Sequence, residues 1–255
     1  MRKFITASIV AFLASGLPGL SSSGARAADL KVVAVPPIKD SLSELARQLE
    51  AASGQKLDMR IASGYDVLKM AIASPFDIAF VAPLILKEPE AAAVFRIGSV
   101  VGIGSTELGV TVRAGAAKPE VGTPEALKQT LLKARTFGIV PSSAVASQVA
   151  QLFDKLEIGQ QMKAKLVDRG IVDEVIRDLA AGDIEITILP INVIVGARGI
   201  ELVAPLPAPL KQAVPVVAAL PVKDGPNPEG ARALIALLKS PEGAAVLKSK
   251  GLTPD

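Results

Sequence analysis

The stretch LDMRIASGYDVLKMAIASPFDIAFV, residues 57–81, decides the fold. Leu57 to Ile61 reads as a short strand, Tyr65 to Ala73 as a helix, and Ile78 to Val81 as an apolar strand buried on both faces. Between the first strand and the helix stands Ala62-Ser63-Gly64, a hydroxyl-bearing turn. The same order precedes it. Leu30 to Val35 is a Val-rich apolar run, and Ser41 to Ala52 sets Leu42, Leu45, Ala46 and Leu49 at helical spacing. A further helix is expected near Pro89 to Val94. Strands alternating with helices predict a parallel sheet covered on both faces.

Further along, Ile97 to Val112 breaks the rhythm with an extended run punctuated by Gly98, Gly102, Gly104 and Gly109. It predicts a strand that leaves the first sheet and crosses a hinge. The alternation then resumes: helix Pro124 to Ala134, strand Thr136 to Val140, helix Ala144 to Leu156, strand Lys165 to Val167, helix Ile171 to Ala180, strand Ile184 to Leu189. Val203 to Val222 carries Pro205, Pro207, Pro209, Pro215 and Pro221 around an apolar strand at Val214 to Leu220, which reads as a second crossing. Glu229 to Lys250 is helical and restarts at Pro241 with Ser240 as its cap. The expected architecture is therefore α/β and two-lobed, two parallel or mixed sheets joined by a two-strand hinge. Residues 28–106 plus 210–255 form lobe 1, and residues 107–209 form lobe 2.

Upstream, Arg2 and Lys3 precede the apolar run Phe4 to Leu13, and Ala25-Arg26-Ala27 supplies small residues at alternate positions. This predicts a secretory signal peptide over residues 1–27, cleaved after Ala27, and a periplasmic protein. The formal charge of +3 resides in that leader, so the remainder balances 25 basic against 25 acidic residues. With no long basic run, seven Phe and one Tyr, neither a phosphate footprint nor a base-stacking platform is available, and nucleic acid is not an expected partner. The chain has no Cys and no His, which removes thiol nucleophiles, imidazole bases and most transition-metal sites. No cofactor or metal is expected. An enzyme would require carboxylates such as Asp77, Asp173 and Glu174 to meet in a cleft, and the last two read as a solvated helix face.

In an α/β sheet of this kind ligands sit beyond the carboxyl ends of the strands, where loops feed helix N-termini. Two such junctions bear hydroxyls: Ser63-Gly64, and Ser142-Ser143 before the Ala144 helix. Free helix-start amides, a favourable dipole and a serine hydroxyl make an anion cradle without a cation. Gly102 and Gly104 do not extend to a dinucleotide fingerprint, because Glu107 stands where the third glycine belongs.

The strings SLSELARQLEAASG (41–54), ASGYDVLKMAIASPFDIAF (62–80), VDEVIRDLAAGDIEITI (172–188) and LIALLKSPEGAAVLKSKGL (234–252) resemble, in this order, the molybdate-binding periplasmic proteins of the type-2 solute-binding superfamily. The resemblance implies a non-enzymatic binding protein, working as a monomer, that closes two lobes on a small oxyanion and presents it to the permease of an ATP-driven importer. It places Ser63, with Gly64, on the family's second-loop serine, Val172 on a helix-start amide donor, and Val145 on the donor of the loop that also holds Ser142 and Ser143. The family's first-loop serine falls on Pro37 and its second-lobe tyrosine on Pro190, so two donors are replaced, with Lys39 the nearest compensating group. A different small organic anion, or a sensing role on the same fold, is the alternative implied by those prolines.

Overall fold

The computed structural model describes residues 29–255; the expected leader over residues 1–27 and its cleavage point lie outside the described residues. The chain starts with β1 (Leu30–Ala34), a short 3-10 turn at Pro36–Ile38, α1 (Lys39–Ser53), β2 (Leu57–Ile61), α2 (Tyr65–Ala73), β3 (Ile78–Val81) and a short α3 (Ala91–Val94). β1 lies between β2 and β3 and is parallel to both, with Leu30 opposite Leu57 and Val32 opposite Ile78. All four residues of β3 are buried, as its unbroken apolar run requires.

The long β4 (Val101–Arg113) carries the chain out of this sheet. There follow α4 (Pro124–Lys133), β5 (Phe137–Ile139), α5 (Ala144–Lys155), α6 (Gly159–Lys163), β6 (Leu166–Asp168), α7 (Val172–Ala181), β7 (Ile186–Pro190), α8 (Ile191–Gly196) and β8 (Ile200–Pro205). The return is made by β9 (Ala213–Ala219), and α9 (Pro228–Leu238), α10 (Pro241–Ser249) and the short β10 (Thr253–Pro254) close the chain. Ser240 caps α10 through Gly243 N, and Thr123, Ser143 and Asn227 cap their helices in the same way.

β4 and β9 make the sheet continuous. Val101 to Glu107 pair antiparallel with β9 from Ala218 to Ala213, and from Leu108 onward β4 pairs instead with β7 and β8. The order β2-β1-β3-β9-β4-β7-β5-β6 is thus mixed, parallel at both ends and antiparallel where the chain crosses. One core gathers residues on either side of this crossing, from Leu30 to Ile103 and again from Val216 to Leu252. A second runs from Leu108 to Val214, with a smaller one around Val175 and Leu179. Edge-to-face aromatic pairs fix each half, Phe76 on Phe95 at 5.7 Å and Phe137 on Phe153 at 5.2 Å.

The structure differs from the expected elements in three places. The helix expected from Pro89 is a single turn beginning at Ala91, and the run from Ile97 opens with a 3-10 turn before β4 starts at Val101. α8 and β8 were not foreseen, because the apolar run between Ile184 and Val203 has no period that separates a strand from a helix. Asp77, Asp173 and Glu174 do not meet. Asp77 is buried and accepts from Lys31 N (2.7 Å) and Asn227 N (2.6 Å), which ties β1 to the start of α9, while Glu174 accepts from Gly170 N (2.9 Å) at the cap of α7.

Candidate functional site

Every parallel strand of both halves delivers its carboxyl end toward one cleft. β1 ends at Pro36-Pro37, β2 at Ser63-Gly64, β5 at Ser143 and α5, β6 at Val172 and α7, and β7 at Pro190 and α8. Where these loops converge lies a partly open cavity of about 70 Å³, lined among others by Pro37, Ser63, Gly64, Ser143, Val145, Val172 and Pro190. Not one Asp, Glu, Lys or Arg lines it. Any anion held there is held by neutral groups.

The donors can be read one by one. Ser63 is 5% exposed, and its hydroxyl has no hydrogen-bond partner among the described residues. Helix starts leave their first amides unsatisfied. At α5 the Ser143 hydroxyl oxygen accepts from Ala146 N (3.1 Å), and the amide of Val145 keeps no protein acceptor. Accepting that bond uses a lone pair, so the Ser143 O–H stays available to donate. At α7 the carbonyl of Ile171 takes Glu174 N (3.2 Å), and the Val172 amide is likewise unbonded. The two helix dipoles favour negative charge at the same place. Thr187 also lines the cavity, yet its hydroxyl already donates to Gly138 O (2.7 Å).

The two prolines offer nothing to a ligand but ring carbons. Pro37 is buried, has no N–H, and its carbonyl accepts from Asn192 Nδ2 (2.5 Å). Pro190 is the residue before α8 and is buried in the cavity wall. Two further residues singled out from sequence lie elsewhere. Lys39 is exposed and faces a separate groove beside Asp40 and Asp173, so it does not replace the lost donors. Ser142 does not line the cavity; its hydroxyl donates to Asp66 Oδ2 (3.1 Å), and its carbonyl accepts from Tyr65 N (2.9 Å).

Those last two bonds clasp the halves together. They are possible because the backbone approaches so closely at Gly64, where φ is +47°; a Cβ there would lie 1.8 Å from Ser142 O. On the other rim, Asn192 of α8 reaches Pro37 with its amide. The hydrogen bond from Lys69 holds the Asp66 carboxyl below its ordinary range; partial burial opposes this, and the Ser142 hydroxyl adds to the lowering. The closed cleft is therefore built from direct contacts between the halves as well as from shared walls.

Comparison with known proteins agrees with this geometry. Residues 30–253 match the family described as bacterial extracellular solute-binding protein. The chain belongs to that family. Among solved structures, this solute-binding protein resembles the periplasmic molybdate-binding protein of Azotobacter vinelandii, with a TM-score of 0.66 and 20% identity over 88% of this chain and 99% of that one. It also resembles the sulfate-binding protein SubI of Mycobacterium tuberculosis, with a TM-score of 0.66 and 13% identity over 89% of this chain and 87% of that one. These likenesses give the two-lobed fold. A curated relative named aconitate isomerase, from a Pseudomonas species, is 26% identical over 88% of this chain and 87% of its own.

Some lining residues escaped the sequence reading. Phe137, Val149, Ile188 and Val214 form much of the wall and carry no signal that separates them from ordinary core. Gly138 was open to detection, since an isolated glycine inside a strand marks a close approach, and its missing Cβ makes room for Ile184 and Val175.

Proposed function

We propose that this protein captures one small anion in the closed cleft and presents it to an importer in the membrane. The observation that carries the reading is the convergence of uncommitted donors from both sides: the Ser63 hydroxyl across from the Ser143 hydroxyl and the Val145 and Val172 amides. A ligand touching both sides biases an open-closed equilibrium toward closure, as capture and release demand. The lobes, residues 28–106 with 210–255 and residues 107–209, turn about the β4 and β9 crossing. The size agrees with a small cargo. A dry cavity of about 150 Å³ takes up one benzene ring, so about 70 Å³ restricts the cargo to a few heavy atoms, the scale of a small oxyanion or a short carboxylate. In this account the leader over residues 1–27 exports the chain to the periplasm, where it acts as a monomer with an ATP-driven permease as its partner.

A second reading, an isomerase, is favoured by the relative named aconitate isomerase. The cavity argues against it. A tricarboxylate is larger than a space of about 70 Å³, its charges would face no cation, and moving a proton needs an acid-base group that the lining lacks. The test combines thermal unfolding with small anions and proton NMR of cis- and trans-aconitate. We expect a shift worth about 2.7 kcal/mol for a cargo at a hundredfold excess over its Kd, and no interconversion. Steady interconversion by the purified protein would overturn the binding-only account.

A further inference from the structure

The free donors, Ser63, Ser143, Val145 and Val172, stand at the loop ends of the strands, where helices begin, and the strand and helix positions behind them line the cavity mainly with hydrocarbon. Further back along these elements the cavity is lined by Phe137, the first residue of β5, and Val149, in the second turn of α5. Ile188 and Val214 also line this bore, and all four belong to one apolar core. The hydroxyl of Thr187, the polar side chain nearest in sequence to the bore, is turned to Gly138 O.

This asymmetry suits one kind of anion. A carboxylate presents two oxygens with about four lone-pair sites, all at one end, which the hydroxyls and amides named above can fill. A tetrahedral dianion presents oxygens in every direction, so some would press on hydrocarbon without a donor, and burying an unsatisfied acceptor is costly. Pro37 and Pro190 sharpen the contrast by adding ring carbons and no N–H to the wall.

We propose, resting on the small-anion reading above, that the cargo is a short-chain monocarboxylate. Its carboxylate sits on Ser63, Ser143 and the starts of α5 and α7, and its alkyl chain fills the bore between Phe137, Val149, Ile188 and Val214. A cavity of about 70 Å³ leaves room for only a few carbons beyond the carboxylate.

Calorimetric titration of the secreted protein with acetate, propionate, butyrate, valerate and hexanoate, beside sulfate, phosphate and molybdate, tests this. Affinity should rise about fourfold per methylene as far as butyrate or valerate, then fall for hexanoate, with the tetrahedral ions weaker than butyrate. In V149T, a hydroxyl in the bore should shrink the butyrate-to-acetate ratio severalfold, whereas S63A should weaken both acids by a common factor. A flat chain-length series, a tetrahedral ion tighter than every monocarboxylate, or V149T acting equally on acetate and butyrate would each overturn the proposal while leaving the small-anion reading intact. Failure of every anion to bind would overturn both.

Discussion

Replacing Gly64 with alanine tests whether the clasp closes the cleft. A Cβ at this residue lands 1.8 Å from Ser142 O and 2.5 Å from Ser143 Cα, far inside the 3.0 Å below which real Cβ contacts do not occur. The opposing loop must therefore retreat by more than 1 Å. That retreat breaks the Tyr65 N to Ser142 O bond (2.9 Å) and the Ser142 hydroxyl bond to Asp66 (3.1 Å). At about 0.5–1.5 kcal/mol each, the closed state loses about 1–3 kcal/mol, a factor of roughly 5 to 150 in its population. Backbone strain at a positive φ adds about 1–3 kcal/mol to the cost of folding and appears in the unfolding temperature instead. The assay is X-ray scattering and calorimetry on G64A and the wild type with the anion that gives the largest thermal shift. G64A should keep a larger radius of gyration at saturation and bind more weakly by about the factor above. Wild-type compactness together with wild-type affinity in G64A would refute the reasoning.

Three further outcomes are expected. S63A removes one hydrogen bond to a charged ligand, so affinity should fall by about 1.5–3 kcal/mol, roughly 10- to 150-fold, with the ligand-free unfolding temperature little changed; an unchanged Kd would place the anion elsewhere. The Lys69 bond that chiefly lowers the Asp66 pKa lies within α2, and only the lesser Ser142 bond depends on closure; that contribution is present above the ordinary carboxylate range and is lost as pH falls through the lowered value, so scattering should show slight acid-induced opening in the wild type and less in D66N, an effect of under about 1 kcal/mol because this side chain is 38% exposed. Asp178 accepts from Arg169 Nε (2.5 Å) and Arg177 Nε (3.0 Å), and the Arg169 bond foremost holds its pKa down; D178N should lower the unfolding temperature at neutral pH, and the gap to wild type should narrow on acidification.

The alternation of strand and helix could be read from residues 57–81 because β3 is unbroken hydrocarbon and Ser63-Gly64 punctuates the turn before α2. The crossing was legible as well, since the glycines of β4 and the prolines in and around β9 exclude a helix there and leave an extended apolar run. α8 and β8 were hidden because Ile191 to Val195 is short and, Asn192 apart, apolar, so only packing decides its period. Within the site, hydroxyl-bearing loops announced Ser63 and Ser143. Which of two adjacent serines faces the cavity is fixed by backbone direction at the cap of α5, so Ser142 was assigned to the ligand and serves the clasp instead. The apolar bore could not be read at all, because a valine facing a cavity and a valine facing its core neighbours look alike in sequence.

The account rests on one claim, that donors from both lobes grip a single small anion. Backbone amide NMR of isotopically labelled protein, titrated with the tightest anion of the calorimetric series, tests it most directly. The Val145 and Val172 amides should move downfield in parallel with the signals around Ser63, all with one Kd. Shifts confined to one lobe, or a response that leaves Val145 and Val172 unmoved, would contradict it.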